Sequence, residues 1–177
     1  DLQPLRSGKV EEKSDVKPVA TFPLGNKAVR ALDLADDGKT LFVLAATTTA
    51  KPRSQVLALD TADPKKAPRS KDLPDPGWDM VRSADGTSLL VTGLAGTPGT
   101  LPVMFKIDPA TFGLETSVSL PKNGGWDVAV HKDGRMVVSS PAANNLPNTL
   151  EVVEADGNPK GSAQTAGGLS NNGYVKF

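Results

Sequence analysis

Residues 28–46 read AVRALDLADDGKTLFVLAA, two apolar runs (28–34 and 40–46) separated by a polar stretch containing Asp37-Gly38. An Asp-Gly pair between short apolar runs is a strong signal for a tight turn, because glycine adopts left-handed backbone without steric cost. The runs are too short for a helix, and Val, Leu and Phe crowd the second of them, so both read as strands. A third run, 55–60 (QVLALD), ends at Asp60 before a turn rich in Pro and Lys, and a weaker fourth ends near Leu73. The opening stretch is therefore a hairpin that grows into a four-stranded antiparallel unit.

The same unit recurs. Asp-Gly stands at Asp37-Gly38, Asp85-Gly86 and Asp133-Gly134, 48 residues apart each time. Asp60, Asp108 and Asp156 keep that step, and Gly77-Trp78-Asp79 returns as Gly125-Trp126-Asp127, with Gly173-Tyr174 one step further. Arg30, Trp78, Trp126 and Tyr174 thus share one repeat column. The second repeat supplies runs at 79–82, 88–92, 103–108 and 114–120, and the third at 127–131, 136–139, 149–153 and 161–165. No helical period persists over ten residues.

Four short antiparallel strands repeated every 40–50 residues are the pattern of a β-propeller blade. The fold expected is all-β: three full blades at about 26–74, 75–122 and 123–170, with flanking partial strands at 18–24 and 174–177 and a fourth blade beginning at 173–177. Residues 1–17 hold four basic and four acidic groups with few apolar side chains, the composition of a flexible leader. Three blades do not close a ring, so the chain is expected to be part of a larger propeller, completed by a further chain or chain segment.

Composition narrows the chemistry. The 177 residues carry 20 Lys+Arg against 20 Asp+Glu, which argues against a nucleic-acid binder. No Cys is present and only one His, which removes disulfides, thiol catalysis and any multi-histidine metal centre. No apolar run approaches a membrane span. No cofactor and no metal is expected. The glycine-rich stretch 93–100 lacks the Lys-Ser/Thr of a phosphate loop, and 33–38 has Ala35 where a calcium loop needs a ligand. Lys65, Lys66, Arg69 and Lys71 read as a solvated outer turn.

Residues 19–63 resemble the YVTN-type β-propeller repeat, with its "VATIPVG" strand, "AVSPDGKTLYV" hairpin and "VSVIDTAT" strand. Val19-Ala20-Thr21, Gly25, Asp37-Gly38-Lys39, Leu41-Phe42-Val43 and Leu59-Asp60-Thr61 carry the match. Ser83-Ala84-Asp85-Gly86, Ile107-Asp108-Pro109-Ala110-Thr111 and Asp133-Gly134-Arg135 repeat the skeleton. The Trp-Asp ending and Gly-His opening of WD40 repeats are absent, since these Trp-Asp pairs begin an inner strand. The resemblance implies a bacterial protein in a periplasmic or extracellular setting.

In such a propeller the connections into each inner strand and the loops at about 45–53, 93–101 and 141–148 share one face. Trp78, Asp79, Trp126, Asp127 and Tyr174 then ring the channel mouth, the place where loops on a rigid scaffold carry function. The plainer reading packs the Trp rings between blades and spends each Asp on backbone N–H groups. Asp79 and Asp127 in adjacent blades also have the makings of a carboxylate pair for acid–base work or cation binding. His131 sits beside an inner-strand turn on the opposite face, away from any triad at the mouth. The function expected is non-catalytic: a binding or scaffold module that uses its mouth face to hold a protein, peptide or carbohydrate partner. A lactonase-like or hydrolytic enzyme and a structural subunit of a larger redox complex are the competing classes.

Overall fold

The computed structural model describes residues 20–48, 53–93, 103–120, 127–140, 149–154 and 159–164. They form twelve strands: β1 (Lys27–Leu34), β2 (Thr40–Thr47), β3 (Ser54–Asp60), β4 (Arg69–Asp72), β5 (Gly77–Arg82), β6 (Leu89–Gly93), β7 (Val103–Ile107), β8 (Leu114–Ser119), β9 (Val128–Val130), β10 (Met136–Ser140), β11 (Thr149–Val153) and β12 (Pro159–Gln164). Consecutive strands pair antiparallel into three four-stranded sheets, β1-β2-β3-β4, β5-β6-β7-β8 and β9-β10-β11-β12. The chain is all-β among the described residues, and its three blades form an open arc.

Local chemistry explains each hairpin. Gly38, Gly86 and Gly134 hold φ of 68°, 70° and 90°, the left-handed backbone the turn requires. The preceding aspartates brace it: Asp37, Asp85 and Asp133 each accept the backbone N–H two residues on, from Lys39, Thr87 and Arg135. The turn after the third strand works in the same way. Asp60 accepts from the N–H groups of Ala62 and Asp63, and Asp108 from those of Ala110 and Thr111. In that second turn Phe112 takes φ of 62°, a strained value for a bulky residue. Its burial against Phe42, ring centroids 6.4 Å apart, offsets the strain.

The blades stack face to face. Phe42, Leu44, Val56 and Ala58 of the first meet Met80, Leu89, Val91, Phe105 and Ile107 of the second. Leu90 and Met104 on the second blade's other face meet Val128, Met136, Val138 and Val153 of the third. The remaining face of the first blade, built on Val43, Ala45, Leu57 and Leu59, is covered by Phe22 and Leu24. Residues 20–24, the described part of the partial strand expected at 18–24, form no strand and contribute packing through Phe22 and Leu24. The inner strand of that face stays open, with Val29 46%, Leu32 59% and Leu34 50% exposed. One repeat on from Leu32, Met80 is 4% exposed beneath the first blade, and Val128 is 4% exposed beneath the second.

The 48-residue step holds for the Asp-Gly turns but not for every strand, and Asp156, expected in the column of Asp60 and Asp108, lies outside the described residues. Leu34 pairs with Leu41 and Arg82 with Leu89, yet Val130 pairs with Met136, one residue short of the repeat. A second residue is lost before β11, since Val43 pairs with Leu57 and Val91 with Phe105, but Val138 pairs with Glu151. A carboxylate side chain, 2% exposed, thereby takes the position that Leu57 and Phe105 fill in the other blades. The uninterrupted step read from the turns hid these two deletions. The expected leader (1–17) and the opening of a fourth blade (173–177) lie outside the described residues.

Candidate functional site

The mouth end of the arc is where β1 and β5 begin. Thr47 N–H closes the β2–β3 loop on Arg53 C=O at 2.9 Å, and the Thr48 hydroxyl reaches Asn26 C=O beside β1. Buried Ser54 ties the next connection down: its Oγ accepts from Gly77 N–H at 2.9 Å, and its carbonyl accepts from Leu73 N–H. The entry of β5 is thereby anchored to the preceding blade.

Each of these inner strands then carries a bulge at the same repeat position. Val29 pairs with Ala45 and Ala31 with Leu44, which leaves Arg30 without a partner in the ladder. Gly77 pairs with Gly93 and Asp79 with Thr92, which leaves Trp78 in the same situation. A bulge re-aims the side chain of the extra residue. Here the two extra residues meet across the blade boundary, the Arg30 guanidinium carbon lying 4.5 Å from the centre of the half-buried Trp78 ring.

Asp79 joins the second blade to the third. Its Oδ1 accepts from Met80 N–H at 2.8 Å and its Oδ2 from Val128 N–H at 3.0 Å. Burial raises its carboxyl above the ordinary carboxylate value, against the opposing pull of these two N–H groups. Asp127, half-buried, brackets Ser139 through its backbone: its N–H donates to Ser139 Oγ and its carbonyl accepts from Ser139 N–H. Trp126 and Tyr174 lie outside the described residues, so Trp78, Asp79 and Asp127 are the predicted site residues the structure places. Among the described residues no cluster of three or more His, Asp or Glu side chains suits a metal ion.

The opposite end carries the hairpin turns. His131 is half-buried there, its Nδ1 2.9 Å from Asp133 Oδ1, and Arg135 draws the Asp133 carboxyl well below its usual range. Between the first two turns lies a cavity of about 300 Å³ lined by Asp33, Asp36, Arg82, Ser83 and Asp85. Arg82 fills its charge requirement locally, pairing with Asp33 and Asp36 at 2.8 Å each.

Sequence reasoning did not select Arg30 or Ser54. Arg30 stood in the same repeat column as Trp78, which was the available signal. For Ser54 no signal existed, because its partner is a backbone N–H in another blade.

Stacked four-stranded antiparallel sheets with their first strands innermost define a β-propeller, and solved structures agree on the fold. The chain is similar to Kuenenia stuttgartiensis hydrazine synthase (15% identity, TM-score 0.63), covering 77% of this chain and 37% of that one. It is also similar to the β-propeller domain of Myceliophteria thermophila Cps50 (Swd1), at 14% identity and TM-score 0.59 over 86% of this chain and 47% of that one. The WD40 repeats of RRP9 match at 8% identity and TM-score 0.58, over 80% of this chain and 40% of that one. The chain thus spans less than half the length of these structures. No family model matches the sequence, and no curated protein does. Among the described residues no helix is long and apolar enough to cross a membrane.

Proposed function

We propose that this chain is a non-catalytic binding module of a propeller built on YVTN-type repeats, and that its mouth end holds a protein, peptide or carbohydrate partner. The observation that carries the reading is the Arg30–Trp78 pair. Two bulges at one repeat position bring a cation and an indole together at the end where β1 and β5 begin. Bulges that re-aim side chains are over-represented beside functional sites, and arginine and tryptophan are the side chains most often found at binding hot spots. Asp79 supports binding over catalysis, since both of its oxygens already accept backbone N–H groups. An extracytoplasmic bacterial setting follows from the same resemblance, and fractionation of the source cells checks it.

The test is titration of the 177-residue chain with panels of short peptides and oligosaccharides, read by tryptophan fluorescence and calorimetry. Trp78→Ala is expected to weaken any ligand found by about tenfold or more, while Lys132→Ala at the exposed opposite end leaves it unchanged. Ligand affinity indifferent to Trp78→Ala would remove the mouth as the binding surface.

A further inference from the structure

We propose that Arg30 makes the mouth a receptor for a carboxylate-bearing peptide segment, an inference that rests on the mouth being the binding face. The chain contains its own control for what an arginine stacked on an aromatic ring does when its role is structural. Arg69 lies 4.9 Å over the Phe112 ring and spends its guanidinium on the fold, donating to the carbonyls of Ala110 and Pro109. Arg82 and Arg135 are committed in another way, to Asp33, Asp36 and Asp133. Arg30 is stacked like Arg69, but among the described residues no carboxylate pairs with it and no acceptor takes its N–H groups. Arg30 is an exposed residue near the start of β1.

Stacking fixes a guanidinium plane without consuming its in-plane donors, and the planar fork suits the two oxygens of a carboxylate. The surroundings favour an anion. Lys27, three residues earlier on the same strand, also has no acidic partner among the described residues. Asp79, one residue beyond Trp78, is held by Met80 and Val128 N–H in the blade boundary. A neutral sugar fits less well, because sugars stack on open ring faces and Arg30 covers one face of the half-buried Trp78. The complementary group is an Asp or Glu side chain, or a free chain terminus, followed by an apolar residue that rests on the indole edge.

The experiment titrates the intact chain with a short Glu-containing peptide, acetylated and amidated, with its Gln counterpart, and with the Gln peptide bearing a free C-terminus. An oligo-uronate is the fourth ligand. The Glu peptide is expected to bind about tenfold more tightly than the capped Gln peptide, with an advantage that shrinks as salt rises. Arg30→Gln removes that advantage and Arg30→Lys retains part of it, with circular dichroism confirming that both variants fold. Recovery of affinity by the free C-terminus assigns the terminal carboxylate as the group recognised. Equal binding of Glu and Gln peptides, a preference that survives Arg30→Gln, tighter binding of the uronate, or no binding by any peptide would each overturn the proposal. If a ligand still depends on Trp78 while ignoring Arg30, the mouth reading stands and the carboxylate assignment fails. If acidic-peptide binding persists in both Arg30→Gln and Trp78→Ala, the mouth reading fails as well.

Discussion

Arg82 in the second blade donates its Nε–H to Oδ2 of Asp33 in the first at 2.8 Å, and both side chains are about four-fifths buried, at 22% and 20% exposure. One repeat on, the corresponding positions at the boundary of the second and third blades are apolar, Val81 and Val130 packing against one buried cluster. The blade boundary therefore accepts either chemistry at this point, provided that both partners match.

The pair predicts a thermodynamic cycle. Arg82→Val alone leaves Asp33 without its main partner in a half-buried site and is expected to cost about 1–3 kcal/mol. Asp33→Val combined with Arg82→Val reproduces the Val81–Val130 arrangement and should recover most of that loss. Urea denaturation of the single and double variants measures the coupling. Additive losses would show that the two residues do not act together.

Asp79 gives a pH dependence of definite sign. Burial places its folded-state pKa above its unfolded value, so at neutral pH the ionised form carries a cost that protonation relieves. This contribution improves as pH falls through the raised pKa towards the ordinary carboxylate value. Asp79→Asn removes it. The stability of the parent relative to Asp79→Asn should therefore rise between pH 7 and about 4.

Asp85 acts in the opposite direction. The Ser83 hydroxyl and the Thr87 backbone N–H and hydroxyl lower its carboxyl to about 2. Its stabilising contribution is complete above the unfolded value and disappears as pH falls from about 4 to about 2. Asp85→Asn should flatten the acid limb of a thermal-stability profile within that window and lower the profile above pH 5 by a constant amount, so that the two proteins converge towards pH 2.

Close packing at the β5 entry predicts intolerance of any side chain at Gly77. A Cβ there would stand 3.0 Å from Leu44 Cδ1 and Val91 Cγ1 and 3.1 Å from Leu73 Cδ1. Gly77→Val is expected to cost about 1–3 kcal/mol through overpacking. Val29, which occupies the equivalent column in the first blade, is 46% exposed, and its replacement by Ala should change the melting temperature little.

The exposed apolar side of β1 yields a matched comparison. Met80→Asp buries a charge between blades and should unfold the arc or cost more than about 3 kcal/mol. Leu32→Asp, at the same repeat position but 59% exposed, should cost less than about 1 kcal/mol. A comparable loss in both variants, measured by urea denaturation, would mean that Leu32 is covered in solution.

Most of the blade was legible because its signals are local. Asp37, Asp85 and Asp133 each brace their own turn, and Asp60 and Asp108 theirs, so the repeated turn chemistry announced four strands per repeat without any knowledge of distant contacts. The candidate site was only partly legible. Trp78 and Asp79 stood out as a repeated pair, but their use depends on other blades: Trp78 carries Arg30, and Asp79 holds Val128.

By itself the sequence determined the all-β class, the hairpins and the three-blade repeat, because turn propensity and short apolar runs act between residues close along the chain. Only the tertiary structure decided which bulge side chains meet, that β10 and β11 shift register to place Glu151 where Leu57 and Phe105 stand in the other blades, and that the apolar side chains of β1 stay exposed on one face. Those outcomes depend on how one sheet lies against the next, a relation between residues a full repeat apart that no local pattern encodes.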